Sequence, residues 1–231
     1  MREKIRVVCA TRVSPGDFMT QTALGRSLAL NQSCLPTIEM FVDYGNSHGL
    51  PDFYNAAIEA ARYDPAILVF VHDDVHLCDY YWSLRLMEAV AHFDLVGLIG
   101  NRRRAPRQPS WAYPEQLFVR DSDENLIGLV GLGKGYPCEM VLGGFNLPGQ
   151  ECKLLDGLML AVRSPLLIER NLRFDPRFPF HFYDMDFCRQ AELTGLRMGT
   201  WPLSAVHESP GSVGTPTWQA AYQLYLQKYG E

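Results

Sequence analysis

The sequence predicts an α/β fold, a mostly parallel central sheet flanked by helices with a loop-rich insertion, in a single domain spanning 1–231. Short apolar, β-rich runs alternate with helix-like segments through the first hundred residues. Such spacing requires crossover connections, so successive strands run in the same direction. The third run, Ala66 to Val71, is apolar throughout, the pattern of a strand buried on both faces. A chain of 231 residues can also enclose one sizeable core.

The elements follow in order. Ile5 to Ala10 is the first strand, and Asp17 to Leu30 a helix with Phe18, Leu24 and Leu28 on its apolar side and Asp17 placed to cap it. Ile38 to Val42 is the second strand. A helix presenting Tyr54, Ala57, Ile58 and Ala61 on one side comes next. After Ala66 to Val71, Tyr80 to Ala91 reads as a helix and Leu95 to Ile99 as the fourth strand. Residues 101–150 hold much of the Pro and Gly, as in Gly131-Leu132-Gly133-Lys134-Gly135 and Gly143-Gly144. They read as long loops that could include a hairpin, an insertion over the sheet edge of the kind used for lids or binding surfaces. Leu158 to Val162 is a buried strand, about 184–194 a helix closed by Gly195, Arg197 to Trp201 a late strand and Trp218 to Tyr229 a final helix.

Composition excludes several classes. Hydrophobic residues make up 47% and charged residues 20%, a globular balance without long disorder. A net charge of −5 argues against a nucleic-acid binder. The one basic cluster, Arg102-Arg103-Arg104 with Arg107, is too short to steer a polymer but could meet a phosphate or an anionic acceptor. No run approaches a transmembrane span, and the first residues lead directly into a strand without the apolar region of a signal peptide, so a soluble, cytoplasmic protein is expected. The six cysteines (Cys9, Cys34, Cys78, Cys138, Cys152, Cys188) form no CxxC pair and read as small core residues rather than zinc ligands.

The most informative stretch is the end of the third run, where apolar residues give way to His72, Asp73 and Asp74. In open α/β sheets the ligand lies beyond the carboxyl ends of the strands. Two adjacent carboxylates repel unless a cation or hydrogen-bond donors offset the charge, and carboxylate oxygen suits Mg²⁺ or Mn²⁺ shared with substrate phosphates. Taken alone, the pair could equally be a turn capping the next helix. Upstream stand Cys9-Ala10-Thr11-Arg12, then Phe41-Val42-Asp43, then Phe53-Tyr54-Asn55-Ala56-Ala57. Downstream stand Asp156-Gly157 and the run Phe180-His181-Phe182-Tyr183-Asp184-Met185-Asp186, with His207 after the late strand.

In this order the segments resemble the GT-A glycosyltransferases, in particular family-2-like enzymes of the branch related to the streptomycin-pathway protein StrF. The resemblance implies a DxD-type signature at the strand end and a nucleotide-binding half (about 1–100) followed by an acceptor and catalytic half (about 101–231). Thr11 and Asp43 would contact base or ribose, with Arg12 and Asn55 in the same nucleotide-binding set. Asp73 would meet the ribose, Asp74 the metal (Mn²⁺ or Mg²⁺), and His207 the metal or diphosphate. Asp156 and Gly157 would open the acceptor side. From their place in the loop-rich insertion, Trp111 and Tyr113 could be stacking surfaces for a sugar or could equally be core. Asp184 takes the place of the catalytic base. Tyr183 departs from the usual Glu of that motif.

Residues two apart on a helix point to different sides, so Asp184 and Asp186 cannot share one substrate. Asp186 suits interaction with the helix N-terminus, and Asp184 is preferred as base. The expected activity is inverting transfer of a sugar from a nucleotide-diphosphate sugar, with uridine diphosphate by family habit, to an unidentified acceptor. The Gly211 to Thr215 loop would close over the donor. Two rival readings remain: an inert nucleotide-sugar-binding protein of the same fold, favoured by Tyr183, and a metal-dependent nucleotidyltransferase. The latter fits poorly with Thr11 to Gly16, which lacks a Gly-rich basic loop.

Overall fold

A computed structural model describes residues 4–30, 38–115, 117–134, 138–143, 146–209 and 211–231. Cys34, Gly135 and Gly144 lie outside the described residues. In chain order the elements are β1 (Ile5–Ala10), α1 (Phe18–Gln21), α2 (Ala23–Leu30), β2 (Ile38–Asp43), α3 (Leu50–Ala60), β3 (Ile67–Val71), β4 (Val75–Leu77), α4 (Trp82–His92), β5 (Leu95–Gly97), β6 (Ile99–Asn101) and β7 (Leu126–Leu132). There follow β8 (Met140–Gly143), β9 (Glu151–Cys152), β10 (Leu154–Leu155), β11 (Met159–Arg163), α5 (Ser164–Glu169), α6 (Tyr183–Leu193), β12 (Met198–Thr200), β13 (Ala205–His207) and α7 (Pro216–Tyr229).

The main sheet has the order β2-β1-β3-β11-β5-β12-β9. Strand β1 is parallel to β2 and β3, and β12 to β5, while β11 and β9 run the other way. Five of the seven strands therefore share one direction, as the alternating pattern predicts. Every side chain of β3 is buried, because helices cover both faces of a strand at the centre of an α/β sheet. Tyr54, Ala57 and Ile58 of α3 are fully buried as their spacing predicts. Each such large apolar side chain contributes about 1.5–3 kcal/mol on leaving water.

A second sheet, β10-β6-β7-β13-β4 with β8 on β7, was not foreseen. The run Leu95 to Ile99 splits at Leu98, giving β5 to one sheet and β6 to the other. The 101–150 segment does contain a hairpin, β7–β8. Yet β7 is an inner, mostly buried strand paired with β6 and β13, so this segment builds the second sheet rather than merely covering an edge. Five described cysteines are free, with Cys9, Cys152 and Cys188 buried and Cys78 and Cys138 half-buried.

The first predicted helix is broken in two. Thr22 is extended, its hydroxyl donating to the Phe18 carbonyl (2.7 Å) and accepting from the Gly25 N–H (2.9 Å). Asp17 makes no cap hydrogen bond. Its carboxylate instead accepts from Ser14 and Gln21 side chains. Thr22 is the residue whose oxygen serves the start of α2.

The C-terminal helix is held to α6 by Asp186, which is wholly buried. Its carboxylate accepts from Lys228 Nζ (2.5 Å), the Tyr229 hydroxyl (2.7 Å) and Gln190 Nε2 (2.5 Å). Asp186→Ala leaves these donors facing a void, and breaking a buried pair from one side costs about 3–5 kcal/mol. Urea unfolding should register a loss of that size; an unchanged midpoint would show that this contact does not anchor α7.

Candidate active site

The end of β3 sets the site. Thr11 follows β1, Asp43 closes β2 and Asp73 follows β3, so three adjacent parallel strands deliver them to one edge. The Thr11 hydroxyl donates to Asp73 Oδ2 (2.5 Å), and the Thr11 N–H to the Asp43 carbonyl (2.9 Å). Asn46 Nδ2 donates to Asp43 Oδ2 (2.5 Å). Arg12 is exposed beside them. Asn55 is not brought to this edge: its amide is engaged at both ends with the Phe174 backbone, at 2.8 and 2.9 Å.

Beyond Asp73 the chain turns into β4, which pairs antiparallel with β13 so that His207 lies opposite Val75. That register, fixed further by the Glu208 N–H donating to the Asp74 carbonyl (2.9 Å), carries His207 to Asp74. His207 Nε2 lies 3.2 Å and His72 Nδ1 4.0 Å from Asp74 Oδ1. This carboxylate oxygen is buried and has no partner in hydrogen-bond geometry. Donor atoms of His72, Asp74 and His207 all fall within 4.8 Å of one another. Two imidazole nitrogens and one carboxylate oxygen facing a common point form a donor set that fits a divalent cation.

The opposite wall is built from the link between β10 and β11. Asp156 Oδ2 accepts from Trp111 Nε1 (2.5 Å) and Oδ1 from the Leu158 N–H (2.9 Å). The Gly157 N–H donates to Asp184 Oδ2 (3.0 Å), whose other oxygen accepts from the Met185 N–H (2.9 Å). The Gly157 carbonyl accepts from the Tyr183 hydroxyl (2.7 Å), which also meets His72 Nε2 at 2.7 Å. Phe182, just before α6, holds a left-handed backbone (φ 65°) although it is not glycine. It is fixed among Trp218, Tyr222 and Tyr225, a strained turn of the sort that marks functional positions. Asp184 sits in the first turn of α6.

Both walls line one cleft of about 300 Å³, together with Trp111, Tyr113, Arg120, Trp218 and the Gly211 to Val213 stretch. Trp111 is itself buried and tied to Asp156 through its indole nitrogen. The basic cluster mostly serves structure: Arg103 pairs with Asp121 (2.5 Å) and Arg104 with Glu192 (3.3 Å).

Electrostatics separate the carboxyls. Burial, reinforced by the charge of Asp156, pushes the Asp184 carboxyl up to about 7. For Asp74, burial acts in the same direction, but contact with His207 and the charge on that imidazole outweigh it and hold the carboxyl below its ordinary range. Burial lowers His72, favouring its neutral form. In His207 burial is overcome by Asp74, and the imidazole lies above its ordinary value. Burial keeps the Tyr183 phenol protonated.

Asp74, His207, Asp156, Gly157 and Asp184, all named from the sequence, are brought to one cleft, and so are His72 and Tyr183, to which the sequence reading gave no role. His72 and Asp74 are brought together by a turn, the Val75 N–H donating to the His72 carbonyl (3.3 Å), and not by strand alternation, so the sequence carried no local signal for the pairing.

No protein-family profile matches the chain, and no characterised protein matches it in sequence. Solved structures do match in fold. The mannosyltransferase PcManGT from Pyrobaculum calidifontis, in complex with GDP-Man and Mn²⁺, aligns with TM-score 0.53 and 12% identity over 100% of this chain and 65% of that one. GalNAc-T7 with UDP, GalNAc and Mn²⁺ aligns with TM-score 0.52 and 10% identity over 98% of this chain and 50% of that one. This chain therefore spans half to about two thirds of the length of these neighbours, and it shares with them the GT-A fold.

A Cβ on Gly157 would collide with the Tyr183 hydroxyl and lie 2.6 Å from its Cζ and 2.9 Å from Asp184 Cβ. Overpacking of that kind costs about 1–3 kcal/mol. Gly157→Ala should lose stability on that scale in urea unfolding, whereas a variant as stable as the parent would mean the two walls are not packed through this residue.

Proposed function

We propose that this chain is a family-2-like, metal-dependent glycosyltransferase that moves a sugar from a nucleotide-diphosphate sugar to an acceptor hydroxyl with inversion. The observation that carries the reading is a single cleft joining a cation-type donor set to a carboxyl poised near pH 7. The fold shared with structures holding UDP or GDP-Man together with Mn²⁺ supports it, and uridine diphosphate is the proposed carrier.

On this reading Thr11, Asp43 and Asp73, with Arg12 at the rim, receive the base and ribose at the strand ends. Asp74 and His207 hold Mn²⁺ or Mg²⁺. The ion, when bound, neutralises charge on the departing diphosphate as a Lewis acid. Asp156, Gly157 and Trp111 shape the acceptor side, and the Gly211 to Thr215 loop covers the donor.

The acceptor oxygen forms a bond to the anomeric carbon while the bond from that carbon to the diphosphate oxygen breaks, its electron pair leaving with the diphosphate. The acceptor proton passes to Asp184, a base whose pKa lies near the working pH. The Glu-to-Tyr departure that favoured an inert binder loses force, because Tyr183 has its own partners in His72 and Gly157.

Two measurements test the reading. A thermal-shift panel of nucleoside diphosphates should show a larger rise with UDP and Mn²⁺ together than with either alone; no shift with any pair would remove the donor assignment. Asp184→Asn should keep that shift yet lose turnover by about 100-fold or more, and an active Asn variant would exclude Asp184 as base.

The pH dependence follows from the same group. Asp184 works only when ionised, and its carboxyl is raised to about 7. As pH falls below that value, kcat/KM should drop roughly tenfold per unit. A profile flat from pH 5 to 8 would contradict this role.

A further inference from the structure

The hydrogen-bond directions around Tyr183 settle the tautomer of His72. The Tyr183 phenol carries one proton, and the Gly157 carbonyl 2.7 Å away can only accept. That proton therefore goes to Gly157, and the phenol oxygen accepts from the other neighbour, His72 Nε2, also at 2.7 Å. In the neutral imidazole a proton on Nε2 leaves Nδ1 bare. Nδ1 is the nitrogen that faces Asp74 Oδ1, and it converges with His207 within the same 4.8 Å cluster. Phe180 lies nearly parallel over the ring, with centroids 6.0 Å apart and 20° between planes. The imidazole is thus held by a hydrogen bond at one nitrogen and a stacked ring on its face, with the second nitrogen free to bind.

We propose that His72 is a third protein ligand to the cation, and that Tyr183 is the positioning residue that fixes its tautomer and aim. The inference rests on the transferase reading and adds to it the identity of the ion. A site of two imidazoles and one carboxylate suits first-row transition ions, whereas Mg²⁺ prefers oxygen ligands and retained water. The site takes Mn²⁺ or a later transition ion and discriminates against Mg²⁺. Ligating histidines are generally oriented through their other ring nitrogen, which here is the work of the phenol.

The same phenol ties the ion's end of the cleft to the base. His72 donates to Tyr183, Tyr183 to the Gly157 carbonyl, and the Gly157 N–H to Asp184. One residue, Gly157, therefore shapes both ends through the two peptide units that flank it. The residue that replaces Glu in the motif is part of the metal site's support.

The test is electron spin-echo spectroscopy of Mn²⁺ bound to the full chain, alone and with UDP, counting coordinated imidazole nitrogens. The parent should show two, and His72→Gln one. A large excess of Mg²⁺ should fail to displace Mn²⁺ from the parent. Tyr183→Phe, which keeps the ring and removes the hydroxyl, should bind Mn²⁺ about 10-fold more weakly, while Asp184→Asn should keep the two-nitrogen signature. One imidazole in the parent would overturn the proposal and leave the transferase reading standing on Asp74 and His207; so would ready displacement by Mg²⁺. Absence of any Mn²⁺ binding, with or without UDP, would sink both. The count on the parent decides the matter even where a variant fails to fold.

Discussion

Asp74 buries a carboxylate oxygen 3.2 Å from His207 Nε2 and 4.0 Å from His72 Nδ1, and the strands around it fix that geometry. A buried charge is costly unless a close partner offsets it, so the chain must hold the imidazoles against it by means that cannot relax. The means are a fully buried strand leading into it and a short antiparallel ribbon leading out. Shifting β13 by one residue against β4 would turn His207 to the other face. The register of a three-residue strand thus decides whether the donor set exists.

The second constraint is the space around Gly157. Tyr183 and Asp184 approach so closely that no side chain fits there, and this closeness lets the carbonyl of Gly157 accept from the phenol while its N–H donates to the carboxylate. Glycine at this position costs conformational entropy in the unfolded chain. It is offset by an arrangement in which two walls, drawn from the β10–β11 link and from α6, share a common bond network. Asp186, one residue beyond Met185, turns instead towards α7, so two acidic residues in one helical turn serve separate ends of the molecule.

Local pattern made the framework legible. The apolar run of β3, the periodic face of α3 and the glycine after α6 each state their element within a few residues of sequence, and the acidic strand end lies at the mouth of β3 where Asp74 lines the cleft. What stayed hidden depends on partners distant in sequence. Strand β7 reads as part of a loop because its Gly-containing run gains strand character only from β6 and β13 on either side. The break at Thr22 escaped because a Thr within a helical pattern gives no sign that its hydroxyl will cap a second helix. Asn55 looked free to bind a nucleotide, yet the backbone it holds lies 119 residues away. His72 was named but given no role, since its aim is set by Tyr183, 111 residues downstream.

The two carboxyls at either end of the cleft are driven in opposite directions, and this is where fold becomes chemistry. Burial alone would push both upward. At Asp74 contact with His207 reverses it, so the ionised form is favoured. At Asp184 the charge of Asp156 adds to burial, and together they outweigh the backbone N–H donors of Met185 and Gly157, so the carboxyl is raised to about 7. On the proposed reading the metal ligand must not take up a proton, and the base must be able to do so and release it again. Environments that separate the pKa values of paired acidic groups are how one fold assigns such different roles. The separation here follows from where the histidines are: His72 and His207 crowd Asp74, and the phenol and glycine that stand between them and Asp184 are neutral.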